Sequence, residues 1–377
     1  MDVRTAARLL SLWAALCAPA LSHAAAPPPD PVLAEATDLS GAAMFLMSGA
    51  PGMVLVVVKG DRSIVLGYGQ TAKGDGHAPD GASLVRLNSI TKVFTTEMLA
   101  TLTVEGKLRL TDPLARFSGA AKVPAFGQRQ ITLLDLATHT AGLPREIGAE
   151  PPAGAGPRDW PTRAARWSWL PGYKLSWAPG GIAAYSNIGF DLLADAIQTA
   201  GGQPYPALLR DRVTGPLGMA DTVFAPTPAQ CARLMTGGGL GGDAPCVDQT
   251  ATEGSGGLYS TGADMAVWLR HNLVDPSGVL TLSHAVYRQR QALPASIGFD
   301  EAGPMSGLGL GWVIVAGDGI RPTLIEKSGG GAGFMSYVAF APGREVGVFV
   351  VANKVDFAMF HTLTKGANGL IQDLVTR

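Results

Sequence analysis

Apolar positions change their period twice along this chain, and the changes divide it into three stretches. Near the start, residues 32–48 space their apolar side chains as a helix does. The run Gly52-Met53-Val54-Leu55-Val56-Val57-Val58-Lys59 is then almost wholly apolar and rich in β-branched residues. Gly60-Asp61-Arg62 turns the chain and Ser63-Ile64-Val65-Leu66-Gly67-Tyr68 returns it, which predicts a hairpin. The last third repeats this style, with short strands expected at 311–316, 323–327, 334–340 and 346–352. Pro342-Gly343-Arg344-Glu345 reads as the turn between the last two, and a helix over 360–375 closes the chain.

The middle is different. From Ile90 to about Leu273 the apolar spacing is mostly helical, as in Asn187-Ile188-Gly189-Phe190-Asp191-Leu192-Leu193-Ala194, and it is broken by Pro/Gly loops at 148–161 and 236–257. Strands from both chain ends around a central helical block predict an α+β fold in which an antiparallel sheet flanked by helices carries a helical insertion. The expected division is residues 25–88 plus 274–377 for the sheet-containing part and 89–273 for the mainly helical part, with an active site in the groove between them. Residues 1–24 read as an export signal. Arg4 and Arg8 precede the apolar stretch 9–18, and Ser22-His23-Ala24 supplies a small-x-small cleavage pattern. The apolar stretch is too short to span a bilayer comfortably, and no later one is longer, so no stable membrane span is expected in the mature chain.

Composition narrows the functional classes. The 377 residues are 47% hydrophobic and 16% charged, with a net charge of -1, so the chain is globular and not disordered. No Lys/Arg cluster offers a nucleic-acid surface. The six histidines show no metal-ligand spacing, so neither a metal nor another cofactor is expected. After removal of Cys17 with the signal, Cys231 and Cys246 remain, fifteen apart. A disulfide fits an exported chain, and two free buried thiols are the alternative.

Three short motifs carry chemistry. The single Ser-x-x-Lys, Ser89-Ile90-Thr91-Lys92, lies where strand-like residues 83–88 give way to a helix that runs to Gly106. Residues three apart share a helix face, so the Lys92 amine can lie against the Ser89 hydroxyl. A partly desolvated lysine can take that hydroxyl's proton and make it a nucleophile. The single Tyr-x-Asn, Tyr185-Ser186-Asn187, opens the helix quoted above. Beside cations, Tyr185 can pass a proton between nucleophile, leaving group and water. Asn187 can cap the helix, or offer its amide to a substrate carbonyl and to Lys92; an ordinary helix start is the plainer reading. Lys327-Ser328-Gly329-Gly330-Gly331 ends the expected strand 323–327. There Lys327 and Ser328 suit a substrate carboxylate, and the glycines let the backbone approach a substrate closely and point an N–H at a developing oxyanion; a Gly-rich turn with a solvent-facing lysine is the alternative. His139 reads as a structural hydrogen-bonder, and Gly254-Ser255-Gly256-Gly257 as a tight turn beside the site. Trp160, Trp167, Trp169 and Trp177 read as core or cleft wall.

Together and in this order, the motifs resemble the signature of penicillin-recognising serine enzymes. Tyr at the head of the second motif points to the class C β-lactamase and DD-peptidase branch. The stretches LATHTAGLPRE (136–146), AAYSNIGFDLLADAI, GSGGLYST, LGLGW and KSGGGAGF look like the AmpH family, and the likeness covers nearly all of the mature chain. It implies a periplasmic, penicillin-binding D-Ala-D-Ala carboxypeptidase and endopeptidase with a serine β-lactamase/DD-peptidase-like fold, acting on peptidoglycan peptides and β-lactams through an acyl-enzyme. The implied roles are Ser89, Lys92 and Tyr185 in catalysis and Asn187, Lys327, Ser328 and Gly330 in substrate binding. Ser328 stands where Thr is usual, which keeps the hydroxyl. A class C-type β-lactamase or esterase would use the same motifs. A non-hydrolytic penicillin-binding sensor is a further reading, although such sensors normally carry membrane spans and a signalling domain.

Overall fold

The computed structural model describes residues 30–148, 150–153, 159–274, 277–299 and 304–376; the expected export signal lies outside them. An eight-stranded sheet forms the frame, in the spatial order 62–69, 52–59, 346–352, 334–341, 324–331, 313–315, 307–308 and 288–289. Every pairing in it is antiparallel, with Met53 facing both Tyr68 and Ala352, and Ser328 facing Tyr337. Both chain ends therefore meet in one sheet, because Gly52–Lys59 pairs with Val346–Ala352 one strand in from its edge.

The unbroken apolar run 53–58 is explained by burial on both faces. Met53, Leu55 and Val57 pack with Val348 and Val350 against Leu33, Met44, Leu363 and Ile371. These come from the helices Pro31–Ser48 and Phe357–Thr376, which cover that face. Val54, Val56 and Val58 turn the other way, into a core shared with Phe94, Trp268 and the middle of the chain. Trp268 stacks on Phe94 with ring centroids 4.3 Å apart, so the helices Thr91–Val104 and Gly262–Val274 interlock there. No described helix is long and apolar enough to cross a membrane.

The expected elements are found, with shifted ends. Strand Leu324–Gly331 continues through the glycines, because Gly329, Gly330 and Gly331 still pair with Ser336, Met335 and Phe334. The expected strand 311–316 shrinks to Val313–Val315, since Gly311 adopts φ 74° and turns the chain. The edge pieces Gly307–Leu308 and Arg288–Gln289 are too short to leave a periodic signal. The last helix starts at Phe357 because the Asp356 carboxylate accepts from the backbone N–H groups of Ala358 and Met359 at 3.0 and 3.1 Å. Short strand pairs punctuate the helical block: Leu84–Arg86 with Tyr259–Thr261, and Ala125–Phe126 with Arg129–Gln130. Cys231 and Cys246 are joined by a disulfide.

Candidate active site

Ser89 sits in a single 3-10 turn, Asn88–Ile90, that feeds directly into the helix Thr91–Val104. Asn88 adopts φ 50°, a left-handed conformation that asparagine tolerates better than most side chains. Its amide donates to the carbonyl oxygens of Gly331 and Phe334 at 2.9 and 3.3 Å, and the Ser336 hydroxyl donates to Leu87 O at 2.9 Å. These bonds fasten the turn and the residue before it to the hairpin of strands Leu324–Gly331 and Phe334–Ala341. The approach is so close that a Cβ on Gly329 would stand 2.3 Å from Leu87 O and 3.1 Å from Ser89 N. The glycine is required by space and not by backbone conformation.

Lys92 lies one turn above Ser89 and is 0% exposed. Its Nζ is 3.2 Å from Ser89 Oγ, and 2.6 Å from both Asn187 Oδ1 and Ser255 O. Burial holds its pKa well below the usual lysine range; Lys327 and Arg145 push the same way, while Asp191 and Glu146 oppose. A neutral amine has two hydrogens and one lone pair. With both hydrogens directed at the carbonyl oxygens of Asn187 and Ser255, the lone pair is left facing the Ser89 hydroxyl. That is the arrangement a general base needs.

The segment Tyr185-Ser186-Asn187 is sewn to the loop 144–146. Ser186 is the cap of helix Asn187–Gly201, its Oγ accepting from Gly189 N and donating to Pro144 O, while Asn187 N donates to Arg145 O. Asn187 therefore caps nothing, and its side chain bridges Lys92 to Glu146. The Tyr185 ring is surrounded by basic side chains: Lys92 Nζ at 4.8 Å, Lys327 Nζ at 5.3 Å and Arg145 Cζ at 4.8 Å from its centroid. His139 stacks on the same ring, with centroids 4.4 Å apart. Burial, then the Lys92 and Lys327 charges, hold the His139 pKa well below the usual histidine range. Its Nδ1 accepts from Ser186 N at 3.0 Å, so the ring is a neutral platform, as the structural reading of this residue expects.

Lys327 is 5% exposed and donates to Ser328 O at 2.7 Å, so it does not face solvent as a turn lysine would. Two lobes of the cleft meet at Ser89 and Gly330. One, of about 570 Å³, is lined by Asn187, Glu146, Trp160 and Asp243. The other, of about 380 Å³, is lined by Tyr185, Arg145, Ser328 and the apolar Met335, Val355, Phe357 and Phe360. All seven candidate residues of the three motifs, Ser89, Lys92, Tyr185, Asn187, Lys327, Ser328 and Gly330, thus converge on one place. Residues 254–257 form the expected turn, and Ser255 supplies a carbonyl to Lys92. Of the tryptophans, Trp160 lines the cleft and Trp167 donates to buried Asp195 at 2.8 Å.

Sequence reasoning missed Arg145, Glu146 and Asp191. Asp191 follows Asn187 by one helical turn, is 2% exposed, and has its pKa pushed up to about 6 by burial against the opposing charges of Arg166 and Lys92. Behind it Arg166 grips Asp195 with two bonds of 2.6 and 2.7 Å, and both side chains are buried. No spacing rule joins residues 145 and 146 to a motif some forty positions away; the hydrogen bonds of Ser186 and Asn187 to this loop do. Among the described residues no cluster of His, Cys, Asp or Glu could hold a metal ion.

The Beta-lactamase family model matches residues 36–371. The chain belongs to that family. Over 97% of its length, and 97% of the relative's, it is 42% identical to the D-alanyl-D-alanine-carboxypeptidase/endopeptidase AmpH of Escherichia coli K12. It is 23% identical to a β-lactamase of Pseudomonas fluorescens, covering 80% of this chain and 88% of the relative. Among solved structures, a β-lactamase/D-alanine carboxypeptidase from Yersinia pestis, complexed with citrate, aligns with a TM-score of 0.87 and 40% identity over 92% of this chain and 99% of that one. The family thus accounts for the antiparallel sheet with flanking helices.

Proposed function

We propose that this chain is a serine D-Ala-D-Ala carboxypeptidase and endopeptidase that cleaves peptidoglycan peptides in the periplasm through an acyl-enzyme and is acylated by β-lactams. The observation that carries the reading is the buried Lys92 amine, 3.2 Å from Ser89 Oγ with its two other partners both carbonyl oxygens. Full-length similarity to a carboxypeptidase/endopeptidase supports the substrate class. In this reading the sheet-containing part and the helical part each supply one wall of the cleft.

The reaction follows from these positions. Lys92 accepts the Ser89 proton as Oγ attacks the carbonyl carbon of the scissile amide. The oxyanion sits against the N–H groups of Ser89 and Gly330; each such donor contributes on the order of a hundredfold in rate. Tyr185, relayed by Lys92, gives the proton to the leaving nitrogen, and the C–N bond breaks to leave an ester on Ser89. In deacylation Tyr185 passes its proton to the Lys92 amine and takes one from water as the water oxygen attacks the ester carbon. The C–Oγ bond breaks, Lys92 returns the proton to Ser89 Oγ, and the acid is released. The Arg145 and Lys327 cations beside its ring stabilise the transient negative charge on Tyr185 during that step. Asn187 orients the acyl side chain, and Lys327 with Ser328 attracts the terminal carboxylate.

Incubation with fluorescent penicillin and with muropeptides tests the reading. Wild-type protein is expected to be labelled, to release D-Ala and to open cross-links, whereas Ser89→Ala folds but takes no label. Full labelling of Ser89→Ala would remove the foundation of the mechanism.

A further inference from the structure

The two lobes differ in sign. Among the described residues, the larger is lined by two carboxylates, Glu146 and Asp243, and by no lysine or arginine. The smaller is lined by Arg145, with Ser328 and Tyr185 beside it. A substrate laid across Ser89 with its anionic end in the larger lobe meets repulsion, so a carboxylate belongs in the smaller one.

Two cations flank that lobe, and they differ in availability. Lys327 is buried and already donates to Ser328 O. Arg145 is exposed on the opposite wall, its guanidinium against the Tyr185 ring with Cζ 4.8 Å from the centroid. No carboxylate among the described residues pairs with it. Its backbone oxygen accepts from Asn187 N, so the loop that carries it is tied to the Tyr185–Asn187 segment and holds its distance from the reacting centre. A guanidinium offers a planar fork of N–H groups that matches a carboxylate, whereas a buried ammonium supplies mainly field.

We propose that Arg145 is the specificity residue that grips the free carboxylate of the leaving amino acid. The substrates so selected have a scissile nitrogen on an amino acid with an unblocked α-carboxylate, as in a terminal D-Ala or a cross-link whose acceptor residue keeps its acid. The carboxylate then lies between the Arg145 fork and the Ser328 hydroxyl, while Met335, Val355 and Phe360 receive the apolar part of the leaving residue. This deepens the proposed peptidase function and rests on it.

The test compares one acylated tripeptide ending in D-Ala-D-Ala as the free acid and as its C-terminal amide, in wild type, Arg145→Ala and Arg145→Lys. Wild type is expected to prefer the acid. Arg145→Ala is expected to lose that acid-to-amide ratio of kcat/KM by roughly ten- to hundredfold, mostly through KM for the acid. Arg145→Lys, which keeps the charge but loses the fork, is expected to recover only part of it. If Arg145→Ala keeps the wild-type ratio, or if wild type shows no preference for the acid, the assignment of Arg145 falls while the acyl-transfer reading stands. If wild type cleaves neither peptide, the peptidase reading falls and takes this inference with it.

Discussion

Adding one methyl group at Gly329 tests whether the contact between the glycine strand and the Ser89 turn organises the site. In Gly329→Ala the new Cβ would meet Leu87 O at 2.3 Å, Ser336 Oγ at 2.5 Å and Ser89 N at 3.1 Å. Ordinary carbon–oxygen contacts begin at about 3.3 Å, so strand and turn must separate by roughly 1 Å. Neither side yields easily. Leu87 O is backbone and already accepts from the Ser336 hydroxyl, and Asn88 pins the same turn to Gly331. Overpacking of this kind costs about 1–3 kcal/mol in stability. The larger effect falls on rate, because Gly329 precedes Gly330 and abuts the Ser89 N–H. A displacement of about 1 Å between two oxyanion donors lowers acylation on the order of a hundredfold. The assay is the second-order rate of fluorescent-penicillin labelling, read beside the melting temperature. Gly343→Ala, where an added Cβ meets nothing within 4 Å, serves as the control and should match wild type in both. If Gly329→Ala labels at the wild-type rate, the strand does not position the oxyanion donors and the mechanism loses its geometric basis.

Two further outcomes concern stability. Replacing Cys231 and Cys246 by serine opens a cross-link of sequence separation 15 and should lower stability by up to about 3 kcal/mol, measured by urea titration without reductant; an unchanged midpoint would mean the bridge constrains nothing. Burial pushes the Glu253 carboxyl up to about 8 despite the opposing charge of Arg166, so between pH 4.5 and 8 the folded state keeps a proton that the unfolded state releases. Stability therefore falls as pH rises through that window, and Glu253→Gln should flatten the fall in urea titrations across it; an unaltered slope would place the proton elsewhere.

Much of the fold was legible because its signals are local. The apolar run 53–58 and the segment 346–352 announce strands, and the structure pairs them within one sheet. Gly106 ends its helix as expected, at φ 73°, with Lys107 N donating to Leu102 O. The misplaced ends have equally local causes that apolar spacing does not register. Asp356 starts the last helix through its side chain, and Gly311 stops a strand through its φ. The two-residue strands at 288–289 and 307–308 exist because a neighbouring edge was open to them, which no periodicity encodes.

The site divides the same way, between what spacing encodes and what packing brings. Ser89 and Lys92 are three apart on one helix, so their contact is a property of the sequence itself. The state of Lys92 is not. Its depressed pKa comes first from burial, and burial needs helix Asn187–Gly201 and turn 254–257 to close over it. That closure has a visible requirement: a Cβ at Gly254 would stand 2.1 Å from Phe190 O. Ser255 O, which takes one Lys92 hydrogen from 163 positions away in the chain, is therefore delivered by the close approach of Gly254 to Phe190. The three motifs name the reacting groups. Residues outside them, Gly254, His139 and the loop 144–146, decide that the lysine is desolvated, that the imidazole beneath Tyr185 is neutral, and that the exposed positive charge of the smaller lobe sits on the Tyr185 side of Ser89. A chain with the motifs intact but with a bulkier residue at 254 would keep the signature and lose the desolvated base on which its chemistry depends.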